Sequence, residues 1–342
     1  MPMRGRSRIA VLTILLCVCL GFMMADLAVG QNPFDVDLGN GSKSSESRPG
    51  QAGVPPMGGT ATNQVGHTGV SNGIATVLAA GDIAECDHQG DEATARIVAR
   101  YPKATVLTLG DEAYQHGTPA DFQNCYAPSW GKFKDRTFPA TGNHDEATKN
   151  AQGYWDFFGP RGGPYDEYYY SYDLGSWHFV VLNSDCWRVD GCDPTDPQIQ
   201  WLLSDLQTHR SRCTLAYWHR PPFTSGRYGL PKDTNRVMPL WQTLYAEGVD
   251  VLLVGHDHDY ERFVPMDAGG HPDASKGVRE FVVGTGGGNL RPFENPPLPT
   301  TVVRNDSTWG VLRLTLSPGK YAWRFLPVVR GGFTDSGVGA CH

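Results

Sequence analysis

The sequence lacks several features that would point to common classes of protein. It has no patch of clustered lysine and arginine, no internal repeat and, after residue 30, no apolar run long enough to cross a membrane. Its 29 lysines and arginines are outnumbered by 36 aspartates and glutamates, which gives a formal net charge of −7. We therefore do not expect nucleic acid as a partner, because proteins that bind it need a basic surface.

The first 73 residues are expected to precede the folded domain. Arg4, Arg6 and Arg8 come before an apolar run over 9–24, and the small residues of 28–30 follow it. This pattern is typical of a secretory signal at 1–30, with an uncleaved membrane anchor as the alternative. Residues 31–73 are rich in glycine, serine, asparagine and proline, which predicts a disordered linker. We expect residues 74–342 to form one catalytic domain of an exported, extracellular protein.

The cysteines include no pair with the two-residue spacing of a zinc knuckle. Two of the eight lie in the predicted signal, and the even number that remains favours disulfides, with free core thiols as the alternative. The predicted pairs are Cys86–Cys125, Cys186–Cys192 and Cys213–Cys341. The first joins loops that follow neighbouring strands, the second closes a short loop, and the third ties the end of the chain to the core.

A strand–helix–strand unit opens the predicted domain. Apolar runs over 76–80 and 105–109 predict buried strands, and 91–100 has the spacing of a helix. Each strand is closed by a glycine and an aspartate, Asp82 in the first case and Asp111 in the second. Two parallel strands joined in this way bring both aspartates to one sheet edge, where ligands bind in α/β proteins.

The rest of the domain continues the alternation of strands and helices and ends rich in strands. Further strands are predicted over 138–140, 168–172, 177–182, 213–218, 249–254, 279–284, 309–316 and 321–326, with helices from Pro197 and over 237–247. The proline-rich stretch 292–299 is predicted to be a surface loop because strands continue after it. This order predicts an α/β fold.

Polar residues follow five of the predicted strands in a repeated manner. Asp82 follows the first strand, and the others are Asp111 with Tyr114, Asn143 with His144, His219, and His256 with His258. Each has an ordinary structural explanation when it is taken alone, as a turn residue or a hydrogen-bonded histidine. Their recurrence at one sheet edge favours a metal site, since aspartate and tyrosine offer hard oxygen ligands.

These ordered blocks resemble those of the calcineurin-like metallophosphoesterases. The most specific matches are Gly-Asn-His-Asp at 142–145 and Gly-His-Asp-His at 255–258. The stretch Gly-Asp-x-x-Tyr at 110–114 resembles the purple acid phosphatase branch, and so does Tyr-Glu-Arg at 260–262. Many other relatives have a histidine two residues after the first aspartate, where this chain has Ala84. The resemblance implies a two-sheet β-sandwich flanked by helices.

The resemblance also implies a catalytic centre with two metal ions, Fe(III) and a divalent Fe, Zn or Mn ion. One ion would be held by Asp82, Asp111, Tyr114 and His258, and the other by Asp111, Asn143, His219 and His256. Asp111 would bridge the ions, a metal-bound hydroxide would attack the phosphate, and His144 would contact the substrate. The implied function is the hydrolysis of phosphorylated small molecules, most simply of phosphomonoesters.

The chain departs from this branch in one loop. Purple acid phosphatases often have further histidines after the fourth block, whereas 220–233 contains none. Arg227 and Tyr228 lie near the corresponding place, and Arg227 either grips a phosphate oxygen or is a solvated loop residue. His88 and His116 follow two of the blocks and are candidates to support a metal ligand or to line the rim of the site, with surface positions as the alternative. The other functional interpretations are a phosphodiesterase or nucleotide hydrolase and a metal-binding protein without turnover.

Overall fold

The computed structural model describes residues 70–71, 73–210 and 213–342. The predicted signal at 1–30 and most of the predicted linker lie outside the described residues. The short strand β1 pairs Val70 with Ala75, so ordered pairing begins slightly before residue 74, where we placed the start of the domain. Among the described residues, no helix combines the length and the apolar character needed to span a membrane.

The described chain forms two mixed sheets of seven strands each. The strands are β1 Val70–Ser71, β2 Ile74–Ala80, β3 Thr105–Leu109, β4 Thr137–Ala140, β5 Tyr170–Leu174, β6 Trp177–Val181, β7 Cys213–Tyr217, β8 Val251–Val254, β9 Tyr260–Phe263, β10 Arg279–Val283, β11 Thr301–Asn305, β12 Gly310–Ser317, β13 Lys320–Pro327 and β14 Ser336–Ala340. The first sheet has the order β14-β13-β12-β2-β3-β4, with β1 beside β2, and the second has the order β11-β9-β10-β8-β7-β6-β5.

Helices connect and cover the sheets. They are α1 Gly90–Ala99, α2 Pro119–Asp121, α3 Gln152–Phe158, α4 Pro197–Thr208, α5 Pro231–Thr234 and α6 Met238–Ala246, with a π-helical turn at Phe122–Tyr126 and 3₁₀ turns at Trp130–Arg136, Asp145–Ala147, Lys149–Ala151 and Gly159–Gly162. The pairs β2–β3, β3–β4, β6–β7, β7–β8 and β8–β10 are parallel. Parallel pairing collects the carboxyl ends of these strands at common sheet edges.

Both faces of the second sheet are buried. Successive residues of a strand point to opposite faces, and Leu215 and Leu253 pack in the first core cluster, with residues from both sheets. Ala216 and Leu252 pack in a second cluster, which includes the apolar face of α4 at Leu202. Burial on both sides explains why these strands read as continuous apolar runs in the sequence.

The three predicted disulfides are confirmed. They are Cys86–Cys125, Cys186–Cys192 and Cys213–Cys341. The last joins the first residue of β7 to the residue after β14, across 128 positions. A bridge that closes so long a loop is expected to stabilise the fold by roughly 2–5 kcal/mol.

Candidate metal centre

Three of the predicted ligands lie in left-handed turns at the ends of buried strands. Asp82 follows β2 with φ of 59°, Asp111 follows β3 with φ of 53°, and His256 follows β8 with φ of 71°. Residues other than glycine rarely adopt this conformation, and it clusters at functional sites. A hydrogen bond of 2.9 Å from the Gly81 N–H to the Val283 carbonyl links the two sheets at this edge.

Two glycines allow the strand ends to approach this closely. Gly110 has φ of 86°, and a Cβ there would lie 2.7 Å from the ring of His219. At Gly142, a Cβ would collide with the carboxylate and backbone of Asp111. These positions therefore require glycine for space, and Gly110 requires it for its backbone angle as well.

The side chains of Asp82, Tyr114 and His258 converge on one point. We call these three residues and Asp111 the first cluster. The Tyr114 hydroxyl lies 2.9 Å from Asp82 Oδ1, 3.1 Å from His258 Nε2 and 3.2 Å from Asp111 Oδ2. His258 Nε2 lies 3.3 Å from Asp82 Oδ1. All four side chains are buried. Both carboxylates and the phenol thus direct oxygen atoms at the same place.

Asn143, His219 and His256 form the second cluster, again with Asp111. His219 Nε2 lies 3.2 Å from Asp111 Oδ2, 3.2 Å from Asn143 Oδ1 and 3.1 Å from His256 Nδ1. The ligand atoms of Asp111, His219 and His256 lie within 4.8 Å of one another. One atom, Asp111 Oδ2, is therefore shared by both clusters, as a bridging ligand would be.

The hydrogen bonds of two histidines show that the side chains of both clusters are suited to bind cations. His219 Nδ1 lies 2.9 Å from the Leu109 carbonyl, and His258 Nδ1 lies 2.6 Å from the Asn289 carbonyl. A carbonyl oxygen can only accept, so each Nδ1 carries a proton and each neutral ring presents the lone pair of Nε2. The lone pair of His219 faces Asp111 Oδ2 and Asn143 Oδ1, and that of His258 faces Asp82 Oδ1 and the Tyr114 hydroxyl. A cation at each place would pair with these groups, and such an outer hydrogen bond is typical of metal-binding histidine.

The electrostatics of the two clusters agree with this interpretation. Burial, together with the charges of Asp82 and Asp111, raises the pKa of Tyr114 well above its ordinary value, so the phenol ionises only beside a cation. Burial lowers the pKa of His219, but the charge of Asp111 outweighs burial and raises it to about 9. The carboxylates thus create a position that favours positive charge. We therefore find that the residues present fit two metal ions.

His144 lies beside the clusters and not inside either of them. Its backbone N–H donates to Asp111 Oδ1 over 2.8 Å, and its Nδ1 lies 2.6 Å from the Gln115 carbonyl. Its Nε2 is 4.0 Å from Asp111 Oδ2, and 17% of the side chain is exposed. The ring is thus oriented by the protein while part of the side chain stays exposed, which suits contact with a substrate.

The predicted substrate residues differ in their relation to the clusters. The ring of Tyr228 stacks on His256 at 4.1 Å, and its N–H donates to Asp257 Oδ1 over 3.2 Å. Arg227 lies next to it, with its guanidinium carbon 5.9 Å from the Tyr228 ring. The rim candidates are peripheral: His88 Nε2 lies 3.2 Å from Glu85 Oε2, and His116 is exposed.

Sequence reasoning missed Arg220 and its partner Asp185. Arg220 Nη1 lies 3.0 Å from His256 Nε2, and its Nε donates to Asp185 Oδ1 over 2.9 Å. The one available signal was the position of Arg220 directly after His219. Asp145 was also missed as a support. Its carboxylate accepts from the N–H groups of Gly142 and Glu112, and so holds two blocks together.

Comparison with known proteins identifies the class. A family model described as calcineurin-like phosphoesterase matches residues 75–260, more than half of the chain. The chain therefore belongs to the calcineurin-like phosphoesterases, and its similarity is to their purple acid phosphatase branch. The family resemblance and the two-sheet fold that the sequence predicted are both confirmed. The family implies a site for two metals, which matches the two clusters that share Asp111.

Individual relatives show which members of the family the chain is similar to. The chain is 25% identical over 191 residues to purple acid phosphatase 15 of Arabidopsis thaliana, covering 46% of this chain and 35% of that protein. It is 26% identical over 252 residues to a nucleotide pyrophosphatase/phosphodiesterase of Hordeum vulgare, covering 61% of this chain and 64% of that protein. The purple acid phosphatase PPD1 of yellow lupin shares the fold, with a TM-score of 0.62 at 19% identity, over 79% of this chain and 54% of that one. The chain thus spans only part of each relative.

Proposed function

We propose that this protein is a secreted phosphate ester hydrolase with two metal ions and that it acts mainly on phosphomonoesters. The observation that carries the proposal is the position of Asp111 Oδ2, which lies 3.2 Å from Tyr114 Oη in one cluster and 3.2 Å from His219 Nε2 in the other. The supporting fact is family membership over 75–260. The three disulfides support export, because disulfides persist in oxidising compartments.

Each cluster would hold one ion. Asp82, Asp111, Tyr114 and His258 would hold the first, and Asp111, Asn143, His219 and His256 the second. When bound, the two ions would supply a water of lowered pKa and neutralise the charge of the phosphate. We propose Fe(III) in the first cluster, because its carboxylates and phenol are hard anionic donors, and a divalent Fe, Zn or Mn ion in the second.

The protein's own residues would bind and orient the ester. Arg227 and Tyr228 would contact its phosphate, and His144 would hold a proton at Nε2 and pass it to the leaving oxygen. Its Nδ1 lies 2.6 Å from the Gln115 carbonyl, which fixes the ring for that transfer. A trivalent ion would lower the pKa of a bound water further than a divalent ion would, so we expect an optimum below about pH 7.

The preference for monoesters follows from charge. A trivalent and a divalent ion carry +5 together, while Asp82, Asp111 and the Tyr114 phenolate carry −3, which leaves +2. A monoester dianion neutralises this charge more fully than the single charge of a diester. The test is the ratio of kcat/KM for p-nitrophenyl phosphate and bis-p-nitrophenyl phosphate across pH, with and without chelator. We expect a ratio that favours the monoester and activity that disappears with the metals.

A second candidate is a phosphodiesterase or nucleotide pyrophosphatase on the same site. It is favoured by the similarity to the barley nucleotide pyrophosphatase/phosphodiesterase, which covers 61% of this chain. A kcat/KM ratio that favours the diester at every pH would select this candidate. Metal binding without turnover of either ester would instead indicate a metal-binding protein that has lost activity.

We also propose the division into a signal at 1–30, a linker at 31–73 and a catalytic domain at 74–342.

A further inference from the structure

The segment 223–228 is an irregular loop that reaches the second cluster. It carries Tyr228, which is proposed to contact the substrate and whose ring stacks on His256 at 4.1 Å. At Gly226 the loop passes so close to Asp257 that a Cβ would lie 2.4 Å from the carboxyl carbon. A loop without helical or strand pairing must satisfy its backbone groups in another way, and those partners decide how firmly it is held.

The backbone of Ser225 and Gly226, in the middle of this loop, is fully hydrogen-bonded. The N–H of Ser225 donates to Glu261 Oε2 over 2.7 Å, and its carbonyl accepts from the N–H of Asn295 over 3.2 Å. The N–H of Gly226 donates to Thr224 Oγ1 over 2.9 Å, and its carbonyl accepts from Asn295 Nδ2 over 2.6 Å. Two residues outside the loop, Glu261 and Asn295, therefore supply three of these four bonds.

Glu261 and Asn295 are themselves held by strand β11. Glu261 is buried in β9, and its Oε1 accepts from the Ser225 hydroxyl over 2.8 Å and from the Thr301 hydroxyl over 2.6 Å. Arg304 Nη1 donates to the same Ser225 oxygen over 2.8 Å and to the Asn295 carbonyl over 2.9 Å. Hydrogen bonds that involve an ionised group are roughly twice as strong as neutral ones. The middle of the loop is thus attached to β9, to β11 and to the proline-rich stretch.

We propose that Glu261 and Asn295 are positioning residues for ester hydrolysis, because they hold the loop 223–228 in place against His256. This inference rests on the proposed function, in which Tyr228 contacts the phosphate. Neither positioning residue is among the proposed metal ligands or substrate contacts, so each acts through the loop. A loop that is already in place needs no ordering when the ester binds, whereas a loop that opens lowers the apparent affinity in proportion to the closed fraction.

Trypsin provides a readout that does not depend on activity. Arg227 lies in the loop, so trypsin cleaves after it only when the loop opens. On the metal-loaded protein with intact disulfides, we expect Glu261→Ala and Asn295→Ala to be cleaved there at least about tenfold faster than the wild type. Mass spectrometry after reduction identifies the cleaved bond, because Cys213–Cys341 otherwise joins the two fragments.

Steady-state kinetics on p-nitrophenyl phosphate show whether the closed loop serves the reaction. We expect both variants to raise KM roughly tenfold and to change kcat by less than about threefold, since they weaken the binding of the ester and leave the reacting groups in place. Glu261→Gln should restore most of the wild-type KM. Its amide oxygen can accept from the Ser225 N–H, and its NH₂ group can donate to the Ser225 and Thr301 hydroxyls.

Asp250→Ala is the matched control. Asp250 is also buried, and it accepts from the backbone N–H groups of Thr214 over 2.8 Å and His342 over 2.9 Å. It precedes β8, whereas His256 follows that strand. This variant should lower the Tm without raising KM or the rate of cleavage after Arg227.

The outcomes separate this inference from the proposed function. Glu261→Ala and Asn295→Ala proteins with wild-type KM would overturn the positioning role, and so would an equal rise in KM for Asp250→Ala. A wild-type protein that hydrolyses no ester would overturn the proposed function, whereas an Arg227 bond that stays protected in both variants would overturn only the inference. Should Glu261→Ala fail to fold, Asn295→Ala keeps the test valid, because Asn295 is only partly buried.

Discussion

Two regions of this protein bring buried histidine and carboxylate together, and they differ in how the histidine is satisfied. In the clusters around Asp111, the Nδ1–H of His219 donates a hydrogen bond to a backbone carbonyl. Its Nε2 faces a carboxylate, an amide oxygen and another imidazole. In the second region, each nitrogen of His178 has its own carboxylate, Asp173 at 2.8 Å and Asp205 at 2.8 Å.

The difference separates a metal site from an ion-paired histidine. One added proton satisfies His178, because an imidazolium donates from both nitrogens to two carboxylates. His209 stacks on this ring at 5.1 Å, and its ligand atom lies within 4.8 Å of those of His178 and Asp205, so proximity alone does not distinguish the two regions. Around Asp111, a single proton on His219 Nε2 would face Asp111 Oδ2, Asn143 Oδ1 and His256 Nδ1 together, each about 3.1–3.2 Å away, and could not serve all three. We therefore expect metal ions at Asp111 and a proton at His178.

Substitution of the shared carboxylate should have the largest effect. Asp111→Asn removes the charge that serves both clusters, so we expect both ions to be lost and activity to fall by about 10⁴-fold or more, which corresponds to several kcal/mol of transition-state stabilisation. Elemental analysis and kcat/KM on p-nitrophenyl phosphate measure this. Asp135→Asn, at an exposed position, is the control. Retention of both metals by Asp111→Asn would contradict a bridging role.

His144→Ala should have the next largest effect and should leave the metals in place. General-acid catalysis contributes roughly 10²–10⁴-fold, so we expect a loss of that size on an alkyl phosphate, whose leaving oxygen needs a proton. The loss on an aryl phosphate should be smaller. Equal losses on both substrates, accompanied by loss of metal, would make His144 a ligand or a structural residue.

Tyr114→Phe should damage the first cluster alone. A phenolate bound to Fe(III) gives a visible charge-transfer band, and we expect this variant to lose the band and at least roughly tenfold in affinity for that ion. The ion held by Asn143, His219 and His256 should remain. Visible absorption and metal analysis of the same sample provide the measurement. If active wild-type protein contains only zinc or manganese, the iron assignment is wrong, although two-metal hydrolysis can still hold.

The sequence predicted the scaffold of the site well because its signals are local. Apolar runs closed by glycine located β2, β3 and β8, and the residues after them converge at one edge. The strand β9 was not predicted, because its central residues are charged and their partners are distant in the chain. Glu261 accepts from Ser225 and from Thr301, and Arg262 pairs with Asp335. Only the folded chain shows that Glu261 is hydrogen-bonded and that Arg262 is ion-paired, so that both can be buried.

Three other features were beyond sequence reasoning for related reasons. The arrangement as two facing sheets came from the resemblance, since the alternation of strands and helices does not by itself divide strands between sheets. The role of Arg220 depends on Asp185 and His256, which lie 35 and 36 positions away. Edge strand β14 has no apolar alternation, because Gly337 and Gly339 lie against the rings of Trp323 and Tyr321.

His178 should show the smallest effect, on stability and not on catalysis. Burial lowers the pKa of His178, but its hydrogen bonds with Asp205 and Asp173 outweigh burial and raise it above 6.5. A raised pKa means that the stabilisation is fully present below the ordinary histidine pKa and is lost as pH rises through the raised value. We expect His178→Gln to lower stability by about 1–3 kcal/mol below pH 6.5.

Thermal unfolding of the wild type and of His178→Gln across pH is the measurement. The difference in Tm should shrink as pH rises, while His271→Gln, with 79% of its side chain exposed, should change little at any pH. A constant difference between the proteins would mean that packing, and not an imidazolium, accounts for the role of His178.

Metal stoichiometry tests the contrast between the two regions most directly. Protein freed of metal by chelation is titrated with ferric and divalent ions, while bound metal and the hydrolysis of p-nitrophenyl phosphate are followed together. We predict two tightly bound ions per chain and activity that appears with the second. Full activity with one ion would contradict the role of Asp111 as a bridge, and a third tight ion abolished by His209→Ala would contradict the assignment of a proton to His178.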